Sequence, residues 1–295
     1  MELSRRRLLL LGAACLVAGC TADHNQPPSG SSTAGSPGPS TTPSESPTSS
    51  PSKAALPRVR RWYADKNELV PAAKITAVRA IEKSGDRADS VVRVIDAQYG
   101  GLLPGSASVL VVCRSWARDA GGEIHGGGAT YDVRLVHSGS GWQVTAVHPS
   151  HPGSPAPHLS RAAGRVLADR RIELPPAARA DVRSGQVHDR VLLAMLTLAR
   201  TYRIGVSVVR SGHPTYVFGT NRLSDHPRGR AFDTWRIDGH PVVDARTPRR
   251  LVMGYMEAAA AAGSYNVGGP YLLGSAPQFF SDDTHHDHVH AGFST

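Results

Sequence analysis

The sequence predicts an α+β protein with two domains. A small domain of helices on an antiparallel sheet is expected at residues 58–149, and a larger domain with a central antiparallel sheet flanked by helices at 158–295. In the first half, a helical pattern precedes strand-like runs, and the turn-rich link HSGSG at 137–141 joins two of these runs as a hairpin. A Pro- and Gly-rich break, HPSHPGSPAP at 148–157, separates the halves. In the second half, apolar helical segments alternate with strand-like runs.

The first domain is predicted to begin with helices. Ile75, Val78 and Ile81 recur at helical spacing within residues 72–83, and a second helix is expected over Asp89–Gln98. The domain contains no cluster of catalytic residue types. Three strands are expected after the helices: Ser108–Trp116, Ala129–Val136 and Trp142–Val147.

The second domain is predicted to alternate helices with strands. Helices are expected over 159–169, Asp189–Tyr202 and 247–262, and strands over 204–212 and 231–235. A further strand is expected in the terminal run HDHVHAGF. Because side chains alternate along a strand, this run should place the imidazoles of His286, His288 and His290 on one side.

The N-terminus has the pattern of a targeting signal. Three arginines at 5–7, an apolar run at 8–17 and the small residues before Cys20 resemble the lipobox of a bacterial lipoprotein. The resemblance implies a signal peptide within residues 1–20, lipid on Cys20 and an extracytoplasmic protein anchored to the cell membrane. The alternative is a buried apolar helix. Residues 21–57 are rich in Ser, Thr and Pro and are expected to form a disordered stalk.

The net charge limits the expected binding partners, and the cysteine content limits the expected disulfides. Removal of residues 1–19 takes away three Arg and one Glu and lowers the formal net charge from +9 to +7. A basic protein in this location suits an anionic wall or lipid head groups, and no basic run with interleaved aromatics favours nucleic acid. Cys113, in the apolar run VLVVC, would be the last cysteine of the mature chain, so no intramolecular disulfide is expected.

Two segments carry metal-binding residue types. SDHPRGRAFD, residues 224–233, contains His226 and Asp233, and HHDHVH, residues 285–290, ends in His290. Imidazoles and a carboxylate can enclose a tetrahedral Zn²⁺ with one position open for water. The alternative is a histidine-rich terminus that binds metal adventitiously.

SDHPRGRAFD matches the SxHxxGxAxD pattern of the zinc D-alanyl-D-alanine carboxypeptidases, penicillin-insensitive murein endopeptidases and their hedgehog-like fold. HHDHVH resembles the ending of the murein endopeptidase branch. The resemblance covers roughly residues 174–293 and implies that His226, Asp233 and His290 hold one zinc ion, with His288 as a nearby base. His285 matches the first histidine of that ending, whereas strand alternation favours His286 near the metal.

Two departures from the family pattern affect the other site residues. Asp287 stands where carboxypeptidase relatives often carry a glutamate, so either His288 or Asp287 is expected to transfer the proton. Relatives also carry an arginine directly after the Ser-Gly that ends the earlier strand, and here His213 follows. Substrate binding is therefore expected from Ser224 of the motif and from a nearby arginine, with three candidates: Arg210, Arg222 and Arg228.

The family resemblance and the predicted location imply a zinc-dependent peptidase that hydrolyses D-amino-acid bonds in peptidoglycan stem peptides or cross-links. Carboxypeptidase and endopeptidase action both remain open. The competing prediction is a catalytically inactive, zinc-containing lipoprotein that binds the cell wall. A further alternative assigns the main function to the first domain.

Overall fold

The structure is a computed structural model that describes residues 55–294, which all belong to one compact unit, Pro51–Thr295. The predicted signal peptide, Cys20 and nearly all of the predicted stalk lie outside the described residues, and these assignments stay predictions. None of the helices in the described range is long and apolar enough to cross a membrane.

The first part of the described chain forms one helix and a five-stranded antiparallel sheet, which we call the first sheet. Its elements are α1 (Pro71–Gly85), β1 (Ser90–Leu103), β2 (Ser106–Arg118), β3 (Ile124–Gly127), β4 (Thr130–Ser138) and β5 (Gly141–Pro149). The strand order is β1-β2-β4-β5, with β3 paired to the end of β2. The helix predicted over 72–83, the three predicted strands and the hairpin at 137–141 are confirmed.

The helix predicted over Asp89–Gln98 is wrong, because this segment belongs to the long strand β1. Its apolar residues fit helical spacing and strand alternation equally well. Valines favour a pleated backbone, and β2 supplies a partner along the whole strand. Val92 and Val94 are buried with exposed Arg93 between them, which is the two-residue period of a sheet.

The remaining chain forms a seven-stranded sheet with helices, which we call the second sheet. Its elements are α2 (Arg161–Ala168), β6 (Ile172–Glu173), α3 (Pro176–Arg183), α4 (Asp189–Leu198), β7 (Ile204–Val206), β8 (Ala231–Ile237), β9 (His240–Pro241), α5 (Arg249–Ala261), β10 (Asn266–Gly268), β11 (Phe279–Phe280) and β12 (Val289–Gly292). The order is β11-β10-β12-β8-β7-β6, with β9 on β8. The central strands β10, β12, β8 and β7 are antiparallel, whereas β6 and β11 pair in parallel at the edges.

The predicted helices of the second half are confirmed as α2, α4 and α5, but two predicted strands are shorter than expected. The strand expected over 204–212 leaves the sheet after Val206, next to a register shift in its pairing with β8. The terminal strand begins only at Val289, because the preceding residues form a short 3-10 helix, Asp283–His285. The shortened strands allow both segments to turn toward the end of β8.

Each sheet has its own hydrophobic core, and a smaller cluster joins the two. One core lies between α1 and the first sheet and includes buried Cys113. The larger core lies among the helices and strands of the second sheet. Leu110 and Val112 from β2 pack with Val208, which follows β7. The two sheets therefore contact each other directly, and the domain division predicted at 148–157 stays a prediction.

Candidate metal centre

The segment SDHPRGRAFD forms a loop that turns directly into β8. Gly229 makes this turn with φ of +68°, and a Cβ here would lie 2.0 Å from a backbone carbonyl oxygen of the neighbouring loop. Only glycine fits both constraints. The turn carries His226 back to β8, where Asp233 is directly paired with His290 of β12. The loop and the register of the sheet thus bring together the three ligands predicted from the sequence.

The donor atoms of these three side chains form a nearly equilateral triangle. His226 Nε2 lies 3.1 Å from Asp233 Oδ1 and 3.1 Å from His290 Nδ1, and the latter two atoms are 3.0 Å apart. A tetrahedral zinc ion with bonds of about 2.0–2.1 Å holds its ligand atoms roughly 3.3 Å apart. All three side chains are buried. The triangle fits one face of a tetrahedral zinc site.

Neighbouring hydrogen bonds orient two of the three ligands. His226 Nδ1 lies 2.9 Å from the carbonyl oxygen of Val209, so this nitrogen carries the ring proton and Nε2 presents a lone pair to the other donors. Gln98 on β1 donates from Nε2 to Asp233 Oδ2 at 2.7 Å, which leaves Oδ1 for the triangle. Such partners fix ligand orientation and commonly contribute to metal affinity.

The pKa values favour the protonation states that bind metal. Burial, together with the charges of the nearby imidazoles, lowers the pKa of His290 to about 4. Burial opposes the ionisation of Asp233, but the neighbouring imidazoles of His226 and His288 outweigh it and hold the pKa of Asp233 well below its usual value. A neutral imidazole beside an ionised carboxylate is the donor set that a divalent cation requires.

His213 lies next to the triangle and was not predicted as part of it. Its ring stacks on that of His226 with centroids 4.2 Å apart, and its donor atom lies within 4.8 Å of those of His226 and Asp233. We keep His290 as the third candidate ligand, because its Nδ1 lies 3.1 Å from His226 Nε2 and 3.0 Å from Asp233 Oδ1; His213 is a fourth candidate. The sequence signal for this residue was its position directly after Ser211-Gly212, where the peptidases that the motif resembles carry an arginine.

His288 lines the cleft beside the triangle and is oriented by its neighbour. Its Nδ1 donates to Asp287 Oδ1 at 2.6 Å, whereas Nε2 lies 3.9 Å from Asp233 Oδ2 and makes no hydrogen bond within the described residues. Burial favours the neutral ring, but the charge of Asp233 and the hydrogen bond to Asp287 outweigh it and raise the pKa of His288. This arrangement presents a basic nitrogen to the cleft.

Asp287, which the sequence offered as an alternative proton-transfer group, does not reach the cleft. Oδ1 is bonded to His288, and Oδ2 accepts the backbone N–H of Tyr99 at 3.0 Å and lies 2.5 Å from Lys74 Nζ. The Lys74 cation outweighs the effect of burial and lowers the pKa of Asp287 to about 2. In the structure Asp287 therefore orients the ring of His288, and its own part in proton transfer stays a prediction.

Lys74 links the first sheet to this arrangement. It is fully buried on α1, its Nζ lies 2.6 Å from Glu68 Oε2, and it sits over the ring of Tyr99 with 4.3 Å to the centroid. Two carboxylates share this single cation, and burial raises the pKa of Glu68 to about 7. A charged network therefore runs from α1 through Asp287 to His288.

The sequence left open whether His285 or His286 lies near the metal, and the structure gives the two side chains different environments. His285 lines the cleft, with its ring centroid 5.1 Å from that of His288 and 5.7 Å from that of His290, and its Nδ1 bonded to Asp282 at 2.7 Å. His286 is directed to the backbone oxygen of Asn67, 2.9 Å away. The expectation from strand alternation was wrong for His286, because the strand has not yet begun at that residue.

Only some of the predicted substrate-binding residues line the cleft. Ser224 lines it, but its Oγ contacts His213 Nδ1 at 3.3 Å and accepts the N–H of His226. Arg210 is turned away and donates to Pro152 O at 2.8 Å. The side chain of Arg228 is 42% exposed and lies outside the cleft, 3.8 Å from an oxygen of Asp225. Of the three candidate arginines, only Arg222 lines the cleft.

The cleft over the triangle has a volume of about 780 Å³ and is built from both sheets. One wall is the end of β1, residues 99–103; the others are loop 213–226 and segment 277–285. Gly101 allows β1 to approach Phe218, since a Cβ there would lie 2.1 Å from the Cβ of that residue. The first sheet, which had no predicted role, therefore shapes the cleft and contacts Asp233, one of the candidate metal ligands.

No family model, curated protein or solved structure matches this chain.

Proposed function

We propose that the chain is a zinc-dependent peptidase that hydrolyses D-amino-acid bonds in peptidoglycan stem peptides or cross-links. The observation that carries the proposal is the buried donor triangle of His226, Asp233 and His290 with the free Nε2 of His288 beside it, at the base of an open cleft. Zinc, when bound, supplies a Lewis acid that polarises a carbonyl group and lowers the pKa of a coordinated water.

The residues of the chain supply the proton transfer. His288 Nε2 would accept a proton from the attacking water and return it to the leaving amine. Asp287 keeps Nδ1 protonated, so that Nε2 is the basic atom. Lys74 holds Asp287 in place through a buried ion pair.

The substrate class rests on the family resemblance of SDHPRGRAFD and on the predicted location outside the cytoplasm. In this proposal, residues 158–295 form a peptidase domain and residues 58–149 a domain that braces it, with lipid on Cys20 as the anchor. Peptide carbonyl or carboxylate groups would be bound by Arg222 or by the imidazoles of His213 and His285, which line the cleft.

Hydrolysis of purified muropeptides by the zinc-loaded protein tests the proposal. A carboxypeptidase releases a free D-amino acid, and an endopeptidase creates a new amine within a cross-link. His288→Ala should lower kcat by roughly 10²–10⁴-fold with zinc content unchanged, because general base catalysis contributes about that factor. His286→Ala is the matched control and should keep activity, since its ring is bonded to the backbone of Asn67. Tight muropeptide binding without any product would instead identify a wall-binding lipoprotein.

A further inference from the structure

A second cavity between the two sheets is lined by arginines and lies outside the proposed catalytic machinery. Its volume is about 370 Å³, and Arg114, Arg179 and Arg183 line it together with Trp116. Strands β2 and β3 form one side and α3 the other. Among the described residues that line it there is no aspartate or glutamate. Three guanidinium groups therefore share a small cavity without a counter-charge.

This cavity continues into a neighbouring one of about 510 Å³, because Arg114, Leu174 and Arg179 line both. The second cavity adds further basic side chains from β1 and from the turn after α2. We call the joined cavities the arginine groove and define it by Arg93, Arg114, Arg170, Arg179 and Arg183.

Four of the five arginines of the groove have no ion pair within the described residues, whereas Arg179 donates to the carbonyl oxygen of Leu167 at 3.2 Å. Arg93 and Arg114 stand directly opposite each other on β1 and β2, and both are exposed. Like charges in this position destabilise a sheet. Within residues 55–294, neither Arg93, Arg114, Arg170 nor Arg183 takes part in an ion pair.

The acidic residues at one end of the groove offset only part of this charge. The carboxylate of Glu173 is held by Arg203 at 2.6 Å and also by Arg236. Asp169 lines the same cavity and caps a backbone N–H. By contrast, Arg134 on the first sheet is paired with Asp132 at 2.7 Å. The groove therefore keeps excess positive charge available to a ligand.

Trp116 gives the groove an apolar wall beside the guanidinium groups. Its strand partner is Gly126, where a Cβ would lie 3.8 Å from the indole. A larger side chain would cover the ring. The groove thus offers a flat aromatic surface next to several cations, which suits a ligand with repeated anionic groups joined by less polar units.

We propose that the arginine groove binds a linear phosphate-bearing polymer. Guanidinium forks match phosphate oxygens, and the continuity of the two cavities favours a chain over a single ion. The formal net charge of +9 draws such a polymer toward the protein. This proposal is independent of the metal centre and adds a second binding site to the chain.

Fluorescence anisotropy of the full chain with labelled linear polyphosphate tests the proposal. The double variant Arg93→Gln/Arg114→Gln should weaken binding at least tenfold and make log affinity less dependent on log salt by roughly one to two units, since each neutralised phosphate contributes about one. The matched control is Arg161→Gln/Arg250→Gln, which removes two exposed arginines outside the groove. It should change affinity less than twofold. An equal loss in both double variants would overturn the proposal, since attraction would then depend on net charge alone.

Two further binding measurements identify the class of ligand. Orthophosphate should compete only at far higher concentration than polyphosphate; equal potency per phosphate would contradict a chain-binding groove. Vesicles of anionic lipid should bind the Arg93→Gln/Arg114→Gln variant and the wild type with the same affinity. Loss of vesicle binding without loss of polyphosphate binding would assign the groove to a membrane surface instead. Polyphosphate should raise the Tm of the wild type and not that of the groove variant, which separates lost binding from misfolding.

Discussion

Strand β1 lines both the cleft and the arginine groove. The charged groups near its cleft end are paired, whereas those near its groove end are not. Near the cleft, the carboxylate of Asp233 is bonded to Gln98, and that of Asp287 to Lys74 and to the backbone of Tyr99. In the arginine groove, Arg93 lies opposite Arg114, and neither forms an ion pair within the described residues. Paired and buried charges fix the geometry of a reactive centre, whereas exposed and unpaired charges remain free for a ligand. The comparison predicts opposite effects of mutation at the two ends.

The largest effect on stability is expected at Lys74. Lys74→Met leaves Asp287 and Glu68 buried without their cation, and the loss of one partner of a buried pair costs about 3–5 kcal/mol. The free energy of unfolding in chemical denaturation should fall by about that amount. Arg61→Met is the control, because the Arg61 side chain is 66% exposed in its pair with Glu82 and such pairs contribute about 0–1 kcal/mol. Similar changes in both variants would show that the network does not brace the site.

Gln98→Ala should weaken the metal centre without unfolding the protein. It removes the amide that donates to Asp233 Oδ2 from the other sheet. Loss of such a partner typically lowers metal affinity about 10–100-fold, and competition with a zinc chelator measures it. The control Gln143→Ala removes an exposed glutamine that bonds to Ser138 and Ser140 on the same sheet. If zinc affinity is the same in both variants, the first sheet does not help to hold the metal ligand.

Arg93→Gln should produce the smallest change in stability, and this change should be an increase rather than a decrease. It removes a like-charge pair across β1 and β2, so the free energy of unfolding should rise by about 0.2–1 kcal/mol at low salt. The gain should vanish in high salt, which screens exposed charges. Arg134→Gln, which breaks the pair with Asp132, should give no gain. A loss of stability in Arg93→Gln would contradict the prediction, because it would mean that Arg93 has a stabilising partner in the folded protein.

The sequence was sufficient for the parts of the site that are local in the chain. His226 and Asp233 lie in one ten-residue segment whose glycine turn and strand follow from residue type. His290 is separated from them by more than fifty residues, and the family resemblance supplied it. Sheet pairing then places it opposite Asp233.

The residues that the first sheet contributes to the candidate site could not be predicted from local sequence patterns. The β1 segment satisfies helix and strand periods equally, and only its pairing with β2 decides between them. Gln98 and Lys74 reach the site through contacts that span more than a hundred residues. A signal did exist: Lys74 lies on the buried face of α1 with Val78 and Ile81, where a charged residue requires a partner.

The most direct test of the account is the zinc content of single alanine variants after dialysis against a weak chelator. We expect one zinc per chain in the wild type and its loss in His226→Ala, Asp233→Ala and His290→Ala. His286→Ala, which alters the same histidine run away from the triangle, should keep the metal. Unchanged zinc in any of the three ligand variants would contradict the assignment, and equal loss in His286→Ala would indicate adventitious binding by the histidine-rich terminus.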